Sequence, residues 1–488
     1  MTVTAAPPAP PQHRQRRATS LWITELPFLV LLGLGALVRM LVQVAFPPGF
    51  VFSDGPTYLG MAHHLVPSPD RPVGYGALLW VLARFADSVA LVSVTQHVLG
   101  LATAVLVYVM LRHWGVSSWV ATLATVPVLF DVMQLVLEHS PLSDVLFDLV
   151  VLSAIAVLGW HRRPGVVAVA VGGLLLGLAT LVRVVGEPTV IAAAVFCIGV
   201  GVTMWRRALL VLVLCVAFVL PLVGYAAWYH AEHGSWALTQ AGGRALYMRT
   251  TSFVDCSRVQ LPSYERGLCP PEPLGHRLDP TQYGWHSEAS KHLDRPGMTN
   301  DQVLHDFAVR VIRAQPGGYV RTVVRDFALG FHPERRDAYG YDTAYKWSLR
   351  HYIDYQTTDY TRPAYAAHGG EQPHTRQPLG DMLATYGDKA YLPGPVLFAL
   401  ALLAFVGLLV RRPSGSVPSR SLIFLLLVTG LGLVLATDVT AEFVWRYQLP
   451  ALVLVPMAAA LSWTRLGWTW PRRRREPQPG TTATPSTD

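Results

Sequence analysis

LWITELPFLVLLGLGALVRMLVQVAF, residues 21–46, is an apolar run with two ionisable side chains, Glu25 and Arg39. PPGFVFSDGPTYLG, residues 47–60, turns sharply out of it. The first segment exceeds the ~20 residues that an α-helix needs to cross the hydrocarbon core of a bilayer. The second places a carboxylate, Asp54, in a Gly/Pro turn just beyond that helix. Further apolar runs of this kind lie at 88–111, 117–137, 142–160, 165–186, 188–205, 208–229, 393–410, 421–437 and 447–463. Together they predict about ten transmembrane helices. The composition agrees: of 488 residues 52% are hydrophobic and 14% charged, against roughly 25% charged in a soluble domain.

The formal net charge is +8 and the pI about 9.4, but the arginines stand in short clusters between apolar runs, which excludes a nucleic-acid-binding domain. Arg112, Arg162-Arg163, Arg206-Arg207, Arg411, Arg412, Arg420 and Arg472 to Arg475 fall on alternate loops. By the positive-inside rule that side is cytoplasmic, as are both termini, and the span count is even. Asp54, Asp70, Glu138, Glu187, Asp438 and Glu442 collect on the opposite, extracytoplasmic face. The first span has no small-residue cleavage site behind it and reads as a retained helix. Basic residues other than Lys291, Lys346 and Lys389 are arginine, a bias expected of a GC-rich, actinobacterial genome and hence of a bacterial plasma membrane.

The chain divides into a disordered cytoplasmic tail (1–19), a seven-helix module (20–230), an extracytoplasmic insert (231–390), C-terminal membrane helices (391–465) and a basic cytoplasmic tail (466–488). The insert holds nine of the 17 histidines. Within it Thr299 to Gln302 reads as a capping box before an amphipathic helix over Val303–Ile312, ended by Pro316. A second amphipathic pattern covers Tyr319 to Phe331. These helices are expected to lie on the membrane surface or against the bundle. Cys197 and Cys215 sit in apolar runs. Cys256 and Cys269 sit in the polar insert and are the candidate disulfide, a bridge contributing roughly 3 kcal/mol over so short a loop; two free thiols are the alternative.

Ionisable groups at the ends of membrane helices are costly and are functional candidates by default. Asp54 is either a reactive carboxylate or the N-cap of a helix opening at Gly55. Glu138-His139-Ser140-Pro141-Leu142-Ser143-Asp144 forms a tight outer turn that either completes a divalent-cation site with Asp54 or is simply capped. His63 and His64, two turns on, read as interfacial rather than as metal ligands. Arg183 and Arg446 stand at outer helix ends against the positive-inside trend. Each either holds a phosphate, as a guanidinium does bidentately, or snorkels or pairs with an acid such as Glu442. Tyr447 accompanies Arg446. Arg39 belongs to the same set, and Arg244, Tyr247 and Arg249 are placed to line the same entrance.

These residues resemble the polytopic GT-C glycosyltransferases that use polyprenyl-phosphate sugars, the class of the protein O-mannosyltransferases and the lipid A aminoarabinose transferase. The likeness rests on Ser53-Asp54-Gly55-Pro56-Thr57-Tyr58-Leu59 with Ala62 and Leu65, on Arg71-Pro72-Val73-Gly74-Tyr75, on Ser143-Asp144, on Gly173 to Arg183, and on Arg446-Tyr447 with Leu449-Pro450. It implies a GT-C-like α-helical membrane bundle and an inverting transfer of a monosaccharide from a polyprenyl-phosphate donor to an extracytoplasmic acceptor: wall glycan, lipid or protein. Asp54 is then the catalytic base. Arg183, Arg446, Tyr447, Arg244 and Arg39 bind the lipid phosphate, and Asp144, Glu138 and His139 are metal or supporting positions for an optional divalent cation. Two departures stand out: the first loop has Asp54-Gly55 in place of paired acids, and Arg183 is followed by Val184 rather than proline. The competing readings are a secondary transporter or lipid flippase, and a scaffold for wall polymer. Against the first, the ionisable groups gather at outer helix ends rather than at the midplane.

Overall fold

The computed structural model describes residues 12–337 except 292, 294 and 296, together with 344–410 and 420–467. Among these residues the chain is all helical. The N-terminal part comprises α1 (Gln12–Ala45), α2 (Gly55–His63), α3 (Val73–Leu82), α4 (Val89–His113), three short helices α5 (Ser118–Ala124), α6 (Val126–Phe130) and α7 (Val132–Glu138), then α8 (Asp144–Gly159), α9 (Val166–Val182), α10 (Thr189–Val200) and α11 (Met204–His233). The insert carries α12 (Gly242–Thr251), α13 (Glu288–Lys291), α14 (Asn300–Ala314), α15 (Pro316–Leu329), α16 (Leu349–Ile353), α17 (Arg362–Ala367) and α18 (Leu379–Gly387). The chain returns through α19 (Gly394–Leu409), α20 (Arg420–Thr440) and α21 (Leu449–Leu466).

Five helical segments are long and apolar enough to cross a membrane: Thr24–Ala45, Val89–His113, Met204–His233, Arg420–Thr440 and Trp445–Leu466. The remaining expected spans appear as shorter apolar helices, except 117–137, which breaks into α5, α6 and α7. The breaks have local causes. Pro127 lacks the amide that would continue α5 into α6. Asp131 adopts extended backbone and caps α7 by accepting from the Met133 amide at 2.8 Å. The irregular tail expected over 1–19 also differs, since α1 begins at Gln12; residues 1–11 and the basic tail from 468 onward lie outside the described residues.

The last helix is the hub. The Trp445–Leu466 segment is 83% buried and packs against α19, α20, α8 and α4. Helices α9 and α11 pack backbone to backbone, and glycine permits it: a Cβ on Gly173 or Gly177 would collide with the backbone carbonyl of Leu214 or Phe218. Small residues at such positions let helix backbones approach where lipid supplies no hydrophobic drive.

Within the insert, α14 starts with the capping box Thr299/Gln302. It buries Val303, Leu304, Phe307 and Val311 against Tyr247 of α12. Helix α15 opens with Pro316 at its first position and leaves Val320 and Val324 exposed while burying Val323 and Asp326. Within the insert a fully buried ion pair, Arg249 to Asp326 at 2.6 Å, ties α12 to α15, and Arg249 also reaches the bundle by donating to the Asp438 carbonyl of α20 at 3.0 Å. Cys256 and Cys269 are joined in a disulfide. Replacing both by serine is expected to lower the unfolding free energy by ~3 kcal/mol, seen as a lower melting temperature than that of unreduced wild type. Reductant should shift wild type by a similar amount and leave the double variant unmoved.

Candidate active site

Ser53 has φ +52°, the left-handed region, which costs of order 1–3 kcal/mol in a residue with a side chain. That kink aims the next residue. Asp54 occupies the N-cap position of α2, yet its carboxylate makes no capping bond. Oδ1 instead accepts from Nη2 of Arg71 at 2.6 Å and Oδ2 from Nη2 of Arg446 at 2.6 Å. Nη1 of Arg446 donates to Ser53 Oγ at 3.3 Å. The Asp54 side chain is 15% exposed and that of Arg446 6%, so the clamp is largely sheltered yet open on one side. Glu442, the other acid considered for Arg446, accepts from Thr281 Oγ1 at 3.0 Å.

Burial works against the Asp54 charge, but the two guanidiniums outweigh it, and the carboxyl is held well below the ordinary carboxylate range.

Aromatic faces extend the cationic centre. The Arg446 guanidinium lies 5.2 Å from the ring centroids of Trp347 and of Tyr447. Arg183 lies 5.5 Å from the Tyr447 ring and pairs with Asp144. One tyrosine ring thus sits within cation–π reach of two arginines. The Tyr58 hydroxyl bonds Ser143 Oγ at 3.0 Å and ties α2 to the start of α8. A narrow cleft runs between these groups, lined by Asp144, Asp148, Arg183, Thr437, Tyr447 and Pro450. On the insert side, Trp285 lies under both Arg71 (5.3 Å) and Arg244 (4.4 Å). Arg244 therefore reaches the site through Trp285, and its backbone amide is held by Asp301 at 2.8 Å.

Arg39, Glu138 and His139 are placed differently from their expected roles. Arg39 donates to Glu138 at 2.7 Å and to the carbonyls of Leu129 and Val128 at 2.9 Å each. Glu138 also meets His97 Nδ1 at 2.8 Å and Gln134 at 2.9 Å. His139 contacts His97 at 3.2 Å and the Phe46 carbonyl at 2.7 Å through Nε2. These groups form a buried network behind the first loop, with the Phe50 amide bonded to the His139 carbonyl at 3.0 Å. A cation site built from Asp54, Asp144, Glu138 and His139 does not fit this arrangement. Both Asp54 oxygens face guanidiniums, Arg183 covers Asp144, and Glu138 is fully engaged, so no step below passes through a metal.

Four contributors went unassigned in the sequence. Arg71 stood in the quoted motif and, like Arg183, breaks the positive-inside trend; that exception was its available signal. Asp148 lies one turn beyond Asp144 inside an apolar helix, a placement that itself flags function. Trp285 and Trp347 lie in segments of no regular period, and nothing local marks them.

No protein-family model matches the chain, and no curated protein matches it significantly. Among solved structures, it is similar to the S. cerevisiae protein O-mannosyltransferase Pmt1-Pmt2 complex bound to the sugar donor. That match has 16% identity and TM-score 0.35, covering 47% of this chain and 36% of that one. It is also similar to the Archaeoglobus fulgidus oligosaccharyltransferase tethered with an acceptor peptide, at 13% identity and TM-score 0.40, over 90% of this chain and 50% of that one. A third is ArnT from Cupriavidus metallidurans bound to undecaprenyl phosphate, at 13% identity and TM-score 0.34, over 90% and 77%. The chain thus spans about a third and a half of the first two. Overlaps at this level assign no residue and no activity, and the chemistry is argued from the site itself.

Two outcomes test the site's physics. Glu138→Ala strands the Arg39 charge in the interior and should cost about 3–5 kcal/mol of stability, read as a fall in melting temperature, with no matching loss from Glu187→Ala, an exposed side chain shortly after α9. For Asp54, a depressed folded-state pKa means a stabilisation present above the unfolded value near ~3.9 and lost as pH falls below it. The melting-temperature gap between wild type and Asp54→Asn should therefore be widest near neutral pH and shrink on acidification towards pH 3.

Proposed function

We propose that this protein is an integral-membrane inverting glycosyltransferase. It moves a monosaccharide from a polyprenyl-phosphate carrier to an extracytoplasmic acceptor hydroxyl. The observation that carries the reading is the carboxylate of Asp54 held between Arg71 and Arg446, beside a second pair, Arg183 with Asp144, in a sheltered pocket at the helix ends. That is the equipment for one proton acceptor and one anionic leaving group. The sequence resemblance to the GT-C transferases supports the same assignment.

The chemistry follows from charge. The acceptor hydroxyl attacks the anomeric carbon from the face opposite the phosphate, and Asp54 takes its proton. As the new C–O bond forms, the bond to the phosphate oxygen breaks, its electron pair stays on the lipid phosphate, and the growing charge falls to Arg446 and Arg183. Phosphate leaves without a general acid, so a base and cationic clamps suffice.

The donor-free clamp poses a difficulty with a built-in answer. A carboxylate gripped by two guanidiniums is a poor base. An incoming lipid phosphate competes for the same arginines, and each bond it draws away raises the basicity of Asp54. Base activation is thereby coupled to donor binding, and a site without donor has little tendency to activate water.

The test is donor consumption by purified protein in liposomes, offered a panel of labelled polyprenyl-phosphate monosaccharides with a cell-wall extract as acceptor source. Loss of the Asp54 proton acceptor should reduce turnover by at least ~10²–10⁴-fold, and Arg446→Ala should impair donor binding as well as turnover. Equal consumption by wild type and Asp54→Asn, or none with any donor, would overturn the assignment and favour a transporter.

A further inference from the structure

A second cluster of chemically competent side chains lies outside the Asp54 site. His63 ends α2, Asp87 directly precedes Ser88, the N-cap of α4, and His368 caps the C-terminus of α17. His63 Nε2 stands 3.2 Å from Asp87 Oδ2, His368 Nδ1 stands 2.5 Å from Asp87 Oδ1, and the two imidazole rings are 4.7 Å apart. The three side chains offer ligand atoms that all lie within 4.8 Å of one another, the one such group among the described residues. We propose that His63, Asp87 and His368 form a zinc-binding clamp that fastens the insert to the helix following Asp54.

Three observations carry this. The first is donor composition: two imidazoles and one carboxylate suit Zn²⁺, whereas Mg²⁺ and Ca²⁺ prefer all-oxygen shells. Ligand atoms bound at ~2.0–2.2 Å in a tetrahedron sit ~3.3–3.6 Å apart, a spacing these side chains reach by rotation. The exposed faces of His63 and Asp87 leave a fourth position to water.

The second is the orientation of His368. Its Nε2 lies 3.1 Å from the Leu59 carbonyl and its Nδ1 faces the Asp87 carboxylate, so one ring nitrogen is tied to the backbone while the other is turned into the cluster. A ring nitrogen donating to a backbone carbonyl is also how metal-bound histidines are oriented. His368 is 5% exposed, so its ring is already held in place before any ion arrives.

The third is the fit of the backbone. Gly369 has φ +89°, and a Cβ there would come within 3.3 Å of the Asp87 carbonyl. The turn after His368 is therefore built to lie against Asp87.

The consequence reaches the first loop. From the same insert segment, Tyr365 accepts from the Val51 amide at 2.8 Å and donates to the Gly49 carbonyl at 2.9 Å, while Tyr355 donates to the Val51 carbonyl at 2.5 Å. These tyrosines brace the loop that leads into Asp54, and the ion closes the brace through α2.

The experiment uses full-length protein in detergent without a polyhistidine tag, stripped by chelator, with Zn²⁺ titrated against a chromophoric chelator. Wild type should take up about one equivalent, with His63→Ala and His368→Ala each weakening it by at least ~10-fold. Zn²⁺ should also slow tryptic cleavage at Arg350 and Arg376 in wild type but not in His63→Ala, a change at an exposed side chain that leaves the fold intact. No uptake by wild type, or undiminished uptake by both variants, overturns the clamp. Neither readout involves sugar transfer, so the glycosyltransferase reading and the clamp can fail separately.

Discussion

The arrangement depends on one carboxylate shared by two guanidiniums. Asp54 belongs to the first outer loop, Arg71 to the stretch before α3, and Arg446 to the segment that opens α21. Their hydrogen bonds, at 2.6 Å each, join the two ends of the chain in the membrane. An isolated charge in such surroundings is expensive, and so is an ion pair whose partner is lost. The clamp is therefore both a structural knot and a store of charge that an anionic ligand can redistribute. Tyr447 and Trp347 lie against the face of Arg446 and Trp285 against that of Arg71, leaving the edges for hydrogen bonding.

Behind this sits a second buried system of a different character. Arg39, Glu138, His97 and His139 satisfy one another and the backbone of the first loop, and Gln96 links the Tyr75 hydroxyl at 3.0 Å to the Glu138 carbonyl at 3.1 Å. Its members are engaged on several sides. The contrast with Asp144 and Asp148, each with an outer oxygen lacking a hydrogen-bond partner, separates groups that hold the loop from groups that face the cleft.

Much of this was legible in the sequence. Hydropathy located the apolar helices, and the capping box at Thr299 and the cysteine pair are local signals that stay local. The exceptional outer-face arginines pointed to Arg183 and Arg446 because a charge placed against a global trend needs a reason. What escaped was pairwise. Arg39 looked like another such exception, and only the tertiary packing of α7 beside α1 shows it neutralised by Glu138. His63 read as interfacial because its partners lie 24 and 305 residues away in sequence. The break between α6 and α7 within 117–137 turns on one side chain, Asp131, which caps α7, accepts from the Leu392 amide at 2.8 Å and pairs with Arg335 at 2.8 Å. Hydropathy averages over such a residue.

The span of the Arg446–Asp54 contact has a consequence for biosynthesis. The partners are 392 residues apart, so while the chain is being threaded into the membrane, the first loop and the insert emerge well before Arg446. Until α21 is in place, Asp54 meets only half of its clamp and the cleft has no wall at Tyr447 and Pro450. A contact of such long sequence separation closes late. A chain still being made therefore carries the Asp54 loop with Arg71 as its only clamp partner, and the clamp is completed when the last helix inserts.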